Sequence, residues 1–290
     1  MAVRLPITRL QLRRSIVILS THMEVNMRHD ISASERLIVA LDVDTKKEAT
    51  EIVKALGGSV RFYKVGYQLY IASGMEVVRE LTKHGKKVFL DLKLDDTPRT
   101  VERTIKNLEK DGIEFFTLQG NGDTAKAAQA GRGRRANPKF LQVTFLSSWD
   151  VNDLREHFHM DDGVPKFDLD DLVVNRASRI LESGCEGVIA SGTSIRKIRQ
   201  TYPDILIVSP GIRPSGTPTD DHKRTLTPYE AIKAGADYLV VGRPIRASGN
   251  PKETAEQIQA EIKRALTENG GGGASPVISR KVSLTPVAAH

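Results

Sequence analysis

Short β-branched apolar runs alternate along the chain with longer segments in which apolar side chains recur every three or four residues. The first pattern predicts strands and the second predicts amphipathic helices. The eight predicted strands comprise residues 37–44, 61–67, 87–94, 114–120, 139–147, 187–190, 204–212 and 236–243. A predicted helix follows each of them, at residues 46–56, 69–84, 98–111, 124–134, 169–183, 194–201, 228–234 and 252–267.

The strict alternation of strands and helices predicts a parallel sheet. Eight such units in about 230 residues fit a closed (β/α)8 TIM barrel better than an open doubly wound sheet, which remains the alternative. We assign residues 35–268 to this single α/β domain and residues 269–290 to a Gly-rich flexible tail. Residues 1–34 are predicted to be a basic, disordered extension. Because residues 1–22 hold no acidic side chain, it resembles a transit segment or an over-extended start.

The net charge of +7 does not predict nucleic-acid binding, because most of it lies in the two terminal segments. With only 5% aromatic residues, the nearly neutral body lacks the basic stripe and the stacking platform of such proteins. No stretch approaches the roughly 20 apolar residues of a membrane helix. The sequence therefore predicts a cytoplasmic protein that binds neither nucleic acid nor a membrane.

The third predicted strand carries charges where a core strand should be apolar. Asp91 and Lys93 alternate with Leu90, Leu92 and Leu94, so one face is predicted to be ionic and the other apolar. Unpaired buried charges are costly, so these two must neutralise each other or take part in chemistry. An edge strand with a wet face is the alternative, but a closed barrel has no edge and carries its active site at the carboxyl ends of its strands.

Ionisable residues also stand near the ends of the first two strands, at Asp42 and Lys64, and their charges alternate with those of Asp91 and Lys93. In a mouth of low dielectric constant, alternating charges keep lysines protonated and carboxylates ionised. Such an array can deliver a proton from a lysine and repel an anionic group of a substrate.

Two loops on the other side of the predicted barrel suit a phosphate group. Residues 209–216 end the seventh predicted strand and residues 240–244 end the eighth, and both segments contain glycine and proline. Barrels commonly bind phosphate between these loops, and Arg243 would add a charge-assisted clamp. No metal site is predicted, because the spacing of His157 and His159 does not place both on one helical face and no further ligand is evident.

The chain resembles the orotidine 5′-phosphate decarboxylase family, whose members convert orotidine 5′-monophosphate to uridine 5′-monophosphate in pyrimidine biosynthesis. The resemblance spans residues 37–262 and rests on the blocks Leu41-Asp42, Lys64-Val65-Gly66, Asp91-Leu92-Lys93-Leu94-Asp95-Asp96-Thr97-Pro98, Pro210-Gly211-Ile212-Arg213, Asp221-His222-Lys223-Arg224, Gly235-Ala236-Asp237 and Val241-Gly242-Arg243-Pro244. It implies a (β/α)8 barrel without metal or cofactor that forms a homodimer with shared active sites.

The resemblance also implies catalytic roles. Lys93 would protonate C6 of the pyrimidine as carbon dioxide leaves, and Asp91 would stand against the substrate carboxylate. Lys64 would complete the charged network and contact the ribose. Asp96 and Thr100 would reach into the active site of the partner subunit.

The remaining implied contacts bind substrate. Asp42 would bind a ribose hydroxyl, Ser147 would read the pyrimidine, and Arg243 would clamp the phosphate. The closing loop, residues 210–224, and the strand-eight block would supply the other binding residues, which are Pro210, Arg213, His222 and Gly242.

Three features depart from the family pattern. Asp95 stands where a small residue or histidine is usual, residues 117–122 replace a histidine- and alanine-rich run, and His222 replaces a glutamine that bridges phosphate and pyrimidine. We expect function to be retained, since histidine also donates to phosphate. Two alternatives stay open: a magnesium-dependent sugar-phosphate decarboxylase or synthase of the same superfamily, and a diverged nucleotide-binding barrel without catalysis.

Overall fold

The structure is a computed structural model that describes residues 30–108, 112–145, 149–157, 159, 168–215 and 225–268. The predicted terminal extensions lie almost entirely outside these ranges, so the proposed domain limits stay predictions.

Eight parallel strands form the centre of the molecule. They are β1 Leu37–Ala40, β2 Phe62–Gly66, β3 Lys87–Leu94, β4 Ile113–Leu118, β5 Lys139–Val143, β6 Gly187–Ile189, β7 Leu206–Ser209 and β8 Tyr238–Val241. The strands pair in chain order, and β1 also pairs with β8, so the sheet closes on itself. The predicted (β/α)8 barrel is confirmed, and the open sheet is wrong. Strand β3 pairs with both β2 and β4, which also excludes an edge position for it.

A short 3-10 turn at Ala33–Glu35 precedes β1, and eleven described α-helices follow. They are α1 Lys46–Leu56, α2 Tyr67–Ser73, α3 Met75–Lys83, α4 Pro98–Asn107, α5 Gly122–Arg132, α6 Val151–His157, α7 Leu169–Leu181, α8 Ser194–Thr201, α9 Pro228–Ala234, α10 Arg243–Arg246 and α11 Pro251–Thr267.

Each predicted helix is present, but one of them is divided. The prediction of one helix over residues 69–84 is wrong, because Gly74 adopts φ +56° and separates α2 from α3. The short helices α6 and α10 were not predicted. Helix α10 begins directly after β8, in the segment assigned to phosphate binding.

Inward-facing side chains from every strand fill the barrel with apolar atoms. The cluster comprises Ile38, Ala40, Phe62, Phe89, Phe115, Leu141, Ile189, Leu206, Val208, Tyr238 and Val240. The ring centroid of Phe115 lies 5.1 Å from that of Phe62 and 5.0 Å from that of Tyr238. Because residues i and i+2 of a strand share a face, Phe62 and Phe89 stand one inward position below Lys64 and Asp91. Aromatic rings therefore form the floor under the charged mouth.

A buried ion pair closes the amino end of the barrel. Arg199 Nη2 donates to Asp237 Oδ2 at 2.7 Å, with side chains only 1% and 2% exposed. Asp237 Oδ2 also accepts the backbone N–H of Ile207 at 2.8 Å, and the Arg36 guanidinium donates to the Asp237 carbonyl oxygen at 3.0 Å. These bonds satisfy charges that would otherwise be costly in a buried position, and they join the start of β7 to that of β8.

The packing of α5 against α4 depends on the missing side chain of Gly131. A Cβ atom at this position would stand 2.3 Å from the carbonyl oxygen of Glu102, a backbone atom that cannot rotate away. We expect Gly131→Ala to lower the free energy of unfolding by about 1–3 kcal/mol through overpacking, as measured by urea denaturation. Gly58→Ala is the matched control, since a Cβ there meets nothing within 4 Å. Equal stability of the two variants would contradict this account of the helix contact.

Candidate active site

Four charged side chains meet at the carboxyl end of the barrel. Asp42 lies two residues after β1, Lys64 belongs to β2, and Asp91 and Lys93 belong to β3. Parallel pairing brings these strand ends to the same mouth.

The four side chains form a continuous array of alternating charge. Lys64 Nζ lies 2.8 Å from Asp42 Oδ1 and 3.5 Å from Asp91 Oδ2, and Lys93 Nζ lies 3.0 Å from Asp91 Oδ1. Lys64 and Asp91 are the most buried members, with side chains 12% and 14% exposed. The structure thus brings together the four residues that were predicted from the sequence, in the order Asp42, Lys64, Asp91 and Lys93. We refer to them as the charged array.

The array keeps its central members ionised. Burial alone would raise the pKa of Asp91, but the charges of Lys64 and Lys93, with hydrogen bonds from Lys93 and Thr117, hold that pKa below its usual value. Burial alone would lower the pKa of Lys64, yet Asp91 and Asp42 raise it. At neutral pH Asp91 therefore keeps its negative charge and Lys64 keeps its positive charge, although both side chains are largely buried.

Strand β3 does not run regularly to its end. Lys93 has φ +46°, a left-handed conformation that is uncommon for residues other than glycine. The pairing of β3 with β4 shifts between Leu90 and Leu94. The backbone is bulged there, but the predicted faces are confirmed, because Asp91 and Lys93 line the cavity while Leu90, Leu92 and Leu94 pack in the apolar core outside it. The Lys93 ammonium still reaches Asp91, and it also lies 5.8 Å from the ring centroid of Tyr67.

A cavity of about 370 Å³ opens beside the array. The segments that follow β7 and β8 contribute Pro210, Gly211, Arg213, Gly242, Arg243 and Arg246 to its lining. Arg213 is only 7% exposed, and its Nη1 donates to the carbonyl oxygen of Ile212 at 3.0 Å. Because three arginines share this cavity with the charged array, it suits a substrate that carries a phosphate or a similar anionic group.

Two other predicted site residues lie away from this cavity. Asp96 and Thr100 are exposed, and neither lines the cavity of its own chain. Asp96 Oδ1 accepts the N–H of Thr97 at 2.6 Å. Thr97 stands at the N-cap position of α4, but its side chain makes no capping bond and instead contacts the Thr100 hydroxyl at 3.0 Å.

Ser147 and His222 lie outside the described residues, so their predicted contacts stay predictions.

The sequence interpretation missed several residues of the cavity. An apolar wall comprises Ala40, Phe89, Val143, Phe145, Ile189 and Val240. In the sequence these residues look like ordinary core positions. Only their location at the ends of strands indicates that they could line a cavity. Arg246 stands three residues after Arg243, on the same short helix, and this spacing could have identified it. Thr117 touches the array, and it could have been found as the inward position of β4 after Phe115.

Within the described ranges, no three His, Cys, Asp or Glu side chains are grouped as a metal site would require. The His157 ring packs against Trp149, with 4.7 Å between the ring centroids. In the same part of the chain, no helix combines the length and apolar character needed to span a bilayer.

The fold and the cavity define a (β/α)8 barrel with an ionic active-site mouth suited to an anionic small molecule. The model of the orotidine 5′-phosphate decarboxylase / HUMPS family matches residues 35–258. The chain belongs to this family.

Individual relatives agree with this assignment. Orotidine 5′-phosphate decarboxylase of Nitrobacter winogradskyi is 46% identical over 235 residues, which cover 81% of this chain and 95% of that protein. The Rhodopseudomonas palustris protein of the same name is 44% identical over 237 residues, which cover 81% and 98%. The crystal structure of the Lactobacillus acidophilus enzyme superimposes with a TM-score of 0.67 at 34% identity, covering 79% of this chain and 99% of that one.

The lowered pKa of Asp91 predicts a pH-dependent contribution to stability. A carboxylate whose pKa is lower in the folded state stabilises the fold above its unfolded value of about 3.9, and this contribution is lost as pH falls through the folded value. We expect Asp91→Asn to be about 1–3 kcal/mol less stable at pH 7, with the difference shrinking below about pH 4. Urea denaturation across this range measures it.

Asp123→Asn is the matched control for this measurement. The Asp123 side chain is 71% exposed and pairs with Lys126 at 3.6 Å, so its removal should change stability little at any pH. A constant difference between the parent and Asp91→Asn from pH 7 to pH 3 would contradict the assigned charge state.

Proposed function

We propose that the protein decarboxylates orotidine 5′-monophosphate to uridine 5′-monophosphate in de novo pyrimidine biosynthesis. The observation that carries this proposal is the charged array, which shares one cavity with three arginines in a member of this family. The array offers charge and a proton at one end of the substrate, and the arginines offer a site for its phosphate.

The cavity suggests how the substrate lies. The phosphate would be bound by Arg243 and Arg213, with the backbone of Pro210 and Gly242 beside it. Asp42 and Lys64 would then contact the ribose hydroxyls. The pyrimidine would extend toward Asp91 and Lys93, which places the reacting carbon at the end of the cavity away from the phosphate.

The reaction needs one bond cleavage and one proton. The bond between C6 and the carboxylate carbon breaks, carbon dioxide leaves, and the electron pair remains on C6. The Lys93 ammonium gives its proton to that carbon, so a C–H bond replaces the C–C bond. Because the proton donor belongs to the protein, the step as written uses no metal or cofactor.

The charges of the array also favour departure of carbon dioxide. Asp91 is held ionised beside the lysines, so its negative charge opposes the substrate carboxylate in the bound state. That opposition disappears when neutral carbon dioxide leaves. The Lys93 ammonium, 3.0 Å from Asp91, then stands next to the negative charge that develops at C6. Binding energy from the distant phosphate offsets the unfavourable contact in the bound state.

Turnover of orotidine 5′-monophosphate in the presence of excess chelator tests this proposal. We expect the parent to consume the substrate, followed by its absorbance, and Lys93→Ala to lower kcat by about 10²-fold to 10⁴-fold through loss of the proton donor. Lys126→Ala, at an exposed lysine of α5, is the control and should retain the parent rate. Lack of turnover by the parent would reject the function, and activity that requires magnesium would favour the sugar-phosphate alternative.

We also propose that two copies of the chain form a dimer with shared active sites. Asp96 and Thr100 are exposed and lie outside the cavity of their own chain, as residues that serve a partner's site would. Nearby, α2 exposes Tyr67 and Ile71 by 53% and 80%, and such large apolar side chains are typical of an interface. The Tyr67 hydroxyl donates to the carbonyl oxygen of Leu92, which connects this surface to the array.

A cytoplasmic location stays a prediction.

Mixing two inactive variants tests the shared site. In a mixed dimer of Lys93→Ala and Asp96→Ala, one of the two sites holds both an intact Lys93 and an intact partner Asp96. We expect each variant alone to be weakly active. After subunit exchange, half of the dimers are mixed, and each mixed dimer has one complete site. The mixture should therefore approach about a quarter of the parent activity. A mixture no more active than the separate variants would contradict shared sites.

A further inference from the structure

The hydroxyl of Thr117 connects the backbone and the side chains of the charged array. Thr117 is fully buried in β4, at the inward position that follows Phe115. Its Oγ1 accepts the backbone N–H of Lys93 at 2.9 Å and donates to Asp91 Oδ1 at 2.9 Å. The same carboxylate oxygen accepts the Lys93 ammonium at 3.0 Å. One hydroxyl therefore contacts both array members of β3 from the neighbouring strand.

The backbone at Lys93 needs such a contact. Leu90 pairs with Phe116 and Leu94 pairs with Leu118. A step of four residues in β3 is therefore matched by a step of only two residues in β4, which makes β3 bulge. Within this bulge Lys93 adopts φ +46°, which disfavours any side chain with a Cβ. Such a conformation persists only where surrounding contacts determine it, and it occurs often at active sites. The hydrogen bond from the Lys93 N–H to Thr117 is a contact of this kind.

We propose that Thr117 is a positioning residue for decarboxylation, which fixes the bulged backbone of Lys93 and orients the carboxylate of Asp91 toward the Lys93 ammonium. This inference rests on the proposed function. Thr117 acts through its two neighbours and does not itself touch the substrate. An apolar side chain of the same shape would fill the space but would leave the Lys93 N–H and one oxygen of Asp91 without this partner.

The effect on Asp91 has a defined direction with pH. The charged groups that contact Asp91 are Lys64 from β2 and Lys93 from β3. Asp42 acts on it indirectly, by pairing with Lys64. Further positive charges in the same cavity come from Arg213, Arg243 and Arg246. A hydroxyl that donates to the ionised carboxylate favours that form. Its removal leaves the lysines in place but raises the pKa of Asp91, so activity should be lost preferentially at the acid end of the pH profile.

Three variants of the full-length protein test the inference. We expect Thr117→Val to lower kcat about 10-fold to 100-fold while KM changes less than about 3-fold, because the arginines at the phosphate end are untouched. The acid limb of its kcat/KM profile should move to higher pH. Thr117→Ser, which keeps the hydroxyl, should restore both kcat and the profile.

Thr144→Val is the matched control. Thr144 is 2% exposed and follows β5, and its hydroxyl donates to the carbonyl oxygen of Ile189 at 2.9 Å, away from the array. It should lose stability like Thr117→Val, as measured by thermal unfolding, yet keep the parent pH profile. Equal kcat and equal profiles for Thr117→Val and Thr144→Val would overturn the inference, as would a Thr117→Ser variant no more active than Thr117→Val. If Thr117→Val does not fold, Thr117→Ala replaces it, and equal kcat for the serine and alanine variants would overturn the inference.

Hydrogen exchange separates this inference from the proposed function. The amide of Lys93 should exchange faster with deuterium in Thr117→Val than in the parent or in Thr117→Ser, since Thr117 Oγ1 accepts that N–H. This readout needs no substrate. Failure of the parent to decarboxylate orotidine 5′-monophosphate would reject the function, whereas unchanged exchange in Thr117→Val would reject the positioning role.

Discussion

The attraction of Asp91 for two lysines is the interaction on which the active-site mouth depends. Lys64 and Lys93 approach the two oxygens of this one carboxylate at 3.5 and 3.0 Å, and Lys64 also pairs with Asp42 at 2.8 Å. A buried ion without such partners would lose its charge or destabilise the fold. Each member of the charged array therefore stabilises the ionised form of its neighbour. A substrate that enters meets charges already in place, and little reorganisation is needed during the reaction.

The packed core and the charged mouth lie at different levels along the barrel axis. Aromatic rings fill the interior beneath the array, and the Arg199–Asp237 pair closes the amino end. At the mouth, β1 to β4 carry the array and its hydroxyl partner Thr117, whereas β7 and β8 carry the arginines. In the proposed function, phosphate binding and proton transfer would thus rest on different strands. The phosphate would then supply binding energy at a distance from the carbon that reacts.

Much of the fold could be predicted from periodicity, because eight alternating units leave few possible topologies. The four array residues could also be predicted, since charges inside apolar strands stand out against the pattern. The bulge at Lys93 could not, because it depends on how β3 pairs with β4 and not on local propensity. The inward position of Thr117 could be found from the alternation in β4, but its bonds to Lys93 and Asp91 could not, because they depend on the neighbouring strand. The division at Gly74 shows that helical periodicity alone does not locate a glycine break.

Chemical rescue of Lys93→Ala tests most directly whether Lys93 supplies a proton or only a positive charge. The measurement is the decarboxylation rate of this variant with added ethylammonium, compared with tetramethylammonium, which carries charge but has no N–H. We predict that ethylammonium restores turnover in a saturable manner and that tetramethylammonium does not. Equal restoration by the two cations, or a variant as active as the parent without either, would contradict it.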